Sequence, residues 1–273
     1  MKTRIISGLI MLPLLAVVYF GGYLLTAACF LVGLLGIGEF YRGFESLKVH
    51  PSHTAGYAML AALYALHLLS GYGGVFYGSR ETLTMLWFFL SVLFSLLYLF
   101  RIEERSLEDG LATVTGIFYV IFFSYHVVLI DELRTGQNDY HLLVWLVFLT
   151  AFGTDIMAYF SGYFFGKHKL CPKISPKKTV EGSVGGVLGS VILCGVFGWF
   201  VVPQLLIHCM VIGVLGGVVS QFGDLTASIF KRKMGIKDYG NLIPGHGGIL
   251  DRFDSVLFTA PLVYYYIALV LLR

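Results

Sequence analysis

Residues 224–254 read DLTASIFKRKMGIKDYGNLIPGHGGILDRFD and lie between two long apolar runs, 205–222 and 255–272. Each run is close to the roughly 20 residues that cross about 30 Å of hydrocarbon. The stretch between them is therefore a polar loop joining two membrane spans. It gathers Lys231, Arg232, Lys233 and Lys237 beside Asp224, Asp238, Asp251 and Asp254, around the turn Pro244-Gly245-His246-Gly247-Gly248. In a chain that is 57% hydrophobic and only 13% charged, that concentration of charge needs a chemical reason.

The residue types suggest one. Hard divalent cations take oxygen ligands, commonly one or two carboxylates together with substrate phosphates. A glycine turn entering a helix lets backbone N–H groups approach an anion, and the helix dipole assists. Here the turn runs straight into Ile249-Leu250-Asp251-Arg252-Phe253-Asp254. Asp251, Asp254 and Ser255 share one helix face at spacings of three and four residues. A loop that is merely solvated needs neither the glycines nor the paired acids. The set is suited to handling the phosphates of a nucleotide.

The rest of the chain is mostly apolar. Its 273 residues include 23 Phe and 17 Tyr, and the mean hydropathy is +0.81. A soluble domain of this size cannot hide that much apolar surface, so the bilayer is the solvent. A net charge of +3 on such a background excludes a nucleic-acid binder. No cleavable signal peptide is evident. Cys29, Cys171, Cys194 and Cys209 form no CxxC pair and read as reduced packing residues.

The apolar pattern predicts an all-α, polytopic integral membrane protein of about nine transmembrane helices. The predicted spans are 5–20, 23–40, 54–69, 82–100, 112–130, 141–165, 184–202, 205–222 and 255–272, with Gly21-Gly22 as a tight turn. Residues 1–273 form one membrane domain, with N-terminal helices in 1–140 and a catalytic part in 141–273. No internal repeat supports an inverted-repeat transporter. With a cytoplasmic N-terminus, 16 of the 19 Lys and Arg fall on the cytoplasmic side, and only Arg80, Arg134 and Arg273 fall opposite. That is the bias of the positive-inside rule. It places the 224–254 loop on the cytoplasmic side, where nucleotides are.

Polar residues elsewhere are fewer. Glu39 and Arg42, one helical turn apart, read as a local ion pair. Asp131 and Glu132 read as a solvated helix end. His67 and His126 read as hydrogen-bonded packing residues. Asp155 is different, because it lies about 16 Å inside the sixth span at 1.5 Å per residue. A carboxylate there is costly and should face protein or water with a task to perform. Asp155, Tyr159, Gly162 and Gly166 make one small and polar helix face. It is either a packing face or a wall of a cavity open to the cytoplasm. On the eighth span Gly216, Ser220, Asp224 and Ser228 repeat the pattern. Residues 167–183, KHKLCPKISPKKTVEGS, form a basic, non-helical loop. The glycines at 182, 185, 186 and 189 then permit close helix contact.

Ser228, Lys231-Arg232, Lys237-Asp238, Pro244 to Gly248 and Asp251-Arg252-Phe253-Asp254 resemble, in order and spacing, the signature of the phosphatidate cytidylyltransferase family, the CDP-diacylglycerol synthases. SPKKT-x-EG resembles a second block of the same family. The resemblance implies transfer of a cytidylyl group from CTP to phosphatidate, releasing pyrophosphate. It implies Mg²⁺ on Asp224 and Asp251, with a second cation possible, and a homodimer. It implies catalytic roles for Lys231, Arg232, Lys237, Asp238, His246, Arg252 and Asp254. Substrate contacts are implied at Asp155, Tyr159, Ser175, Lys177, Lys178, Thr179, Glu181, Ser228, Gly245, Gly247 and Gly248. Two other CTP-using membrane enzymes compete with this reading, a synthase acting on an isoprenoid lipid phosphate and a lipid kinase. A transporter, with Asp155 coupling an ion, is a rival of another class.

Overall fold

A computed structural model of the chain describes residues 12–71, 74–134, 140–242 and 247–272. His246, Gly245 and Pro244 of the glycine turn lie outside the described residues. Nine helices follow one another among those residues: α1 Leu12–Phe20, α2 Gly22–Glu45, α3 His53–Ser70, α4 Arg80–Phe100, α5 Leu107–Asp131, α6 Tyr140–Phe165, α7 Val180–Val201, α8 Pro203–Lys233 and α9 Leu250–Leu271. Seven of them, α2 and α4 to α9, are long and apolar enough to cross a membrane. The protein is thus an all-α polytopic membrane protein. The helix α3 stands at the predicted third span, but its 18 residues include two His, two Tyr and a Gly and are less apolar than the seven.

Local chemistry sets the helix ends. Gly21 has φ +57°, which lets the chain reverse between α1 and α2. Ser52 caps α3 by accepting from Ala55 N, and Ser106 with Asp109 forms a capping box at the start of α5. Thr179 caps α7 by accepting from Gly182 N at 3.1 Å. A π-helical segment, Ile117–Phe122, widens α5 in mid-course.

Two packed cores result. One joins Leu146, Val147 and Ala151 of α6 to Cys194 of α7, Cys209 and Ile212 of α8, and Val256 and Ala260 of α9. The other joins Ile37, Phe40 and Tyr41 of α2 to Leu60, Trp87, Val120 and Ile121. Leu250 and Leu257 of α9 belong to the second core, so α9 locks the two together. Phe164, Phe165, Trp199 and Phe200 are exposed, as side chains facing lipid must be.

The helices alternate in direction. Ser52, at the start of α3, donates its N–H to Thr113 near the start of α5, and His67, near the end of α3, bonds Tyr125 near the end of α5 at 2.9 Å. At that second end lie Asp131 and Glu132, and here the solvated helix end expected from the sequence gives way to a network. Asp131 is 3% exposed and accepts from Gly22 N at 2.5 Å. Glu132 takes both guanidinium nitrogens of Arg80 and lies 3.5 Å from His67 Nε2. The physical reason is Arg80, which the fold brings across 52 residues to satisfy the carboxylate.

Candidate active site

The site is built at the end where α6 and α8 finish and α7 and α9 begin. Close packing comes first. A Cβ on Gly185 or Gly189 would collide with Ser161 or Met157 of α6, so α7 lies directly on α6. A Cβ on Gly223 of α8 would stand 2.8 Å from the Asp254 carbonyl, so α8 lies as closely on α9.

The basic segment between α6 and α7 is a small antiparallel hairpin. β1 is Lys169–Cys171 and β2 is Ser175–Thr179. The sequence predicts a loop here, and the added order has a visible cause. Glu181 accepts from Lys167 N at 3.0 Å and from His168 N at 3.2 Å, and also bonds His168 Nδ1 at 2.5 Å. Glu181 therefore clasps the base of the hairpin.

The hairpin roofs a cavity of about 580 Å³. Asp155, Tyr159 and Gly162 of α6 form one wall, Gly182 and Ser183 of α7 another, and Gln221 and Asp224 of α8 a third. Lys169, Ser175, Lys177, Lys178 and Thr179 of the hairpin close it from above. The volume is that of an ordinary small-ligand site. Lys178 Nζ pairs with Asp224 Oδ2. Gln221 donates to Ser183 O at 3.1 Å and so ties α8 to α7 at the cavity floor.

Acids converge at this cavity. Asp224 repels both Asp155 and Asp254, and Asp155 also repels Asp254. Lys178 and Arg252 offset Asp155, and Lys231 offsets Asp254. Asp254 is buried and accepts from Ser255 N at 2.7 Å. The Ser255 hydroxyl lies against the Asp155 carboxylate. Arg252 Nε is buried without a hydrogen-bond partner. A buried guanidinium donor next to a cluster of carboxylates marks a place suited to an anion.

Asp251 has a separate setting. Its Oδ1 receives Lys231 Nζ at 2.7 Å, and its Oδ2 accepts from Tyr239 N at 2.8 Å and Gly248 N at 3.0 Å. Gly247, at φ +89°, allows the turn to wrap the carboxylate. Lys231 also lies 5.4 Å from the Tyr239 ring centroid. Burial holds the Tyr239 phenol far above its ordinary pKa, so it stays neutral and donates to Ala227 O at 3.3 Å.

Residues 2–270 match the model of the cytidylyltransferase family. The chain belongs to that family. It is 34% identical to the phosphatidate cytidylyltransferase of Synechocystis sp., over 98% of this chain and 97% of that one. It is 33% identical to the phosphatidate cytidylyltransferase of Bacillus subtilis, over 98% of both. It is 41% identical to that of Haemophilus influenzae over 50% of this chain and 49% of the other. The protein is therefore a membrane nucleotidyltransferase, as the signature residues imply.

In this cytidylyltransferase the residues singled out in the sequence fall into three groups. Asp155, Tyr159, Ser175, Lys177, Lys178, Thr179 and Asp224 share the cavity. Lys231, Asp251, Arg252 and Asp254 form the buried and half-buried layer beside it. Arg232, Lys237 and Asp238 are exposed, Ser228 is half-buried one turn beyond Asp224, and Gly247 and Gly248 lie against the Asp251 and Glu39 carboxylates. Sequence reasoning passed over Gln221 and Ser183, and it gave Glu39 the wrong partner. Glu39 is 2% exposed and accepts from Ile249 N at 3.0 Å and Leu250 N at 2.8 Å. Its oxygens face α9, so the local pair with Arg42 is replaced by a contact across 210 residues. The signal was available, because a carboxylate within an apolar span ordinarily has a task.

Proposed function

We propose that this protein transfers a cytidylyl group from CTP to phosphatidate, giving CDP-diacylglycerol and pyrophosphate. The observation that carries the reading is the cavity in which lysines of the hairpin face Asp155 and Asp224 at the end of the α6–α9 bundle. Its wall includes Tyr159 and Tyr163, 67% and 72% exposed, so a lipid head group has an apolar flank along which to enter. Arg42, Arg101, Arg105 and the hairpin lysines lie at the same end of the helices, which supports a cytoplasmic site and a supply of nucleotide from that side. The proposal retains the homodimer.

Both substrates are polyanions, and their repulsion is the first obstacle. Lys178 and Lys177 receive phosphate oxygens from the hairpin side. Lys231 and Arg252 receive them from the α8–α9 side and stabilise the departing pyrophosphate. The phosphatidate phosphate has a second pKa near 6 and is already an oxyanion at neutral pH. It attacks the α-phosphorus of CTP and the bond to the β-phosphate oxygen breaks. No general base is required for that step, so the protein contributes positioning and electrostatics.

The family's usual requirement is a divalent cation, and the negative field that favours one is centred on Asp224, which acts on both Asp155 and Asp254. Asp224 and Asp251 each hold a lysine ammonium against a carboxylate oxygen, which is a cation already standing at each acid. We assign Mg²⁺ to Asp224 and Asp251, with Asp155 and Asp254 reinforcing the negative field. The ion supplies neutralisation of phosphate charge. Lys178 and Lys231, released from their acids, are then free to meet phosphate.

The test is substrate choice in the purified protein with Mg²⁺ and CTP. Phosphatidate should release one pyrophosphate per lipid consumed, and EDTA should stop release. Pyrophosphate released with an isoprenyl phosphate and none with phosphatidate would overturn the substrate assignment.

A further inference from the structure

The backbone N–H groups at the start of α9 meet an anion in this structure. That anion is internal. Glu39 reaches from the α2 side and accepts hydrogen bonds from Ile249 N at 3.0 Å and Leu250 N at 2.8 Å, the first N–H groups of the helix. The fit is close. A Cβ on Gly248 would collide with the Glu39 carboxylate, at 2.6 Å from Oε1, and a Cβ on Gly240 would stand 2.6 Å from the same atom. Two glycines from the loop before α9 thus leave room for one side chain of α2.

Glu39 is 2% exposed, and the charge of Arg42 acts on it from beyond ion-pair distance, behind the hydrogen bonds from Leu250 and Ile249. A buried carboxylate is costly unless hydrogen-bonded or paired. The two α9 donors and the positive end of the helix dipole meet that need. Asp251 is the second carboxylate at the same helix start, held by Tyr239 N and Gly248 N. The two acids divide the N–H groups of residues 248–250 between them. Arg252 and Asp254 follow within one helical turn of Leu250, so whatever fixes Leu250 also fixes them.

We propose that Glu39 is a positioning residue for the transfer reaction. Its carboxylate docks the N-terminus of α9 onto α2 and thereby sets the place of Asp251, Arg252 and Asp254. In this account the glycines at 240 and 248 serve Glu39, and substrate phosphate is met by Lys and Arg side chains. The inference rests on the proposed reaction only for the choice of substrate.

The experiment compares Glu39→Gln, Glu39→Asp and Arg42→Gln in the full-length protein, with two readouts. The first is hydrogen exchange of the 247–252 amides without substrate. The second is kcat and KM for CTP and phosphatidate. Gln keeps the shape but turns an NH₂ toward one of the two donors. It should raise exchange at Ile249 and Leu250 by at least tenfold while exchange in the α6–α7 core stays parental. It should lower kcat at least tenfold, about 1.4 kcal/mol of barrier, with KM for phosphatidate within threefold. Glu39→Asp, one methylene short, should recover part of kcat because it keeps the charge. Arg42→Gln should match the parent, since the partner of Glu39 is α9. Parental exchange at Ile249 and Leu250 in Glu39→Gln overturns the inference. So does an Arg42→Gln variant that loses kcat as Glu39→Gln does. Should Glu39→Gln not fold, the Glu39→Asp exchange profile decides, with parental protection refuting the docking role. A parent protein inactive on phosphatidate but protected at these amides would refute the substrate reading and leave the docking role standing.

Discussion

Asp251→Asn is the substitution whose consequences follow most fully from the geometry. The Asp251 side chain is 2% exposed, and Lys231 beside it is 12% exposed. Asp251 accepts from Lys231 Nζ at 2.7 Å, from Tyr239 N at 2.8 Å and from Gly248 N at 3.0 Å. Asparagine has the same shape but one acceptor oxygen. Turned one way its NH₂ meets the Lys231 ammonium, and turned the other way it meets two backbone N–H groups. Removing one member of a buried ion pair costs about 3–5 kcal/mol, because the other charge is left buried and unpaired. The loss falls on Tyr239 and Gly248, whose backbone N–H groups are held by this carboxylate. The expected result is a lower unfolding temperature in detergent and turnover below a tenth of the parent, measured as pyrophosphate release. Asp251→Asn combined with Lys231→Met removes both charges. That double variant should recover most of the lost stability, since an ion pair exchanged for neutral groups of similar volume is often close to neutral. It should recover no turnover. A single variant with parental stability and more than a tenth of parental activity refutes the reasoning, as does a double variant no more stable than the single one.

Three further outcomes are expected. Lys178→Gln should leave the unfolding temperature nearly unchanged, because its pair with Asp224 is about a quarter exposed on both sides and contributes no more than ~1 kcal/mol; the KM for CTP should rise at least tenfold in initial-rate measurements. Gly189→Leu should lower the unfolding temperature, by about 1–3 kcal/mol of stability, since its side chain meets Met157 where α7 lies on α6. Single cysteines at Lys173 and Asn241, on a background without the four native ones, should be labelled only after the membrane is made permeable. A cysteine at Arg273 should be labelled from outside intact cells, and labelling of position 241 from outside would reverse the topology.

The helical plan was legible because apolar length is a direct physical requirement of a bilayer. Helices stand at each of the nine expected places, with the first partly outside the described residues. The hairpin was not legible, because five lysines and two prolines in residues 167–183 mask two short strands held by a clasp at Glu181. Asp155 was legible as a cavity residue from the cost of an intramembrane carboxylate. The same argument applied to Glu39 and was displaced by the nearness of Arg42, a partner one turn away. Its actual donors are 210 and 211 residues distant, a separation that local spacing does not encode. Glu132 repeats the lesson, with Arg80 brought to it by the packing of α3, α4 and α5. The docking of Glu39 on the first N–H groups of α9 was not legible, because α2 and α9 lie at opposite ends of the sequence.

The central claim is that the nucleotide's α-phosphate, with its cytidine, ends on the lipid. CTP labelled at the α-phosphorus and CTP labelled at the γ-phosphorus, each given with Mg²⁺ and phosphatidate to the purified protein, test it most directly. The account predicts that α-label moves into the lipid phase in step with pyrophosphate release while γ-label stays in the water phase. Transfer of γ-label to the lipid, or α-label remaining wholly in water with a folded and active preparation, would contradict it.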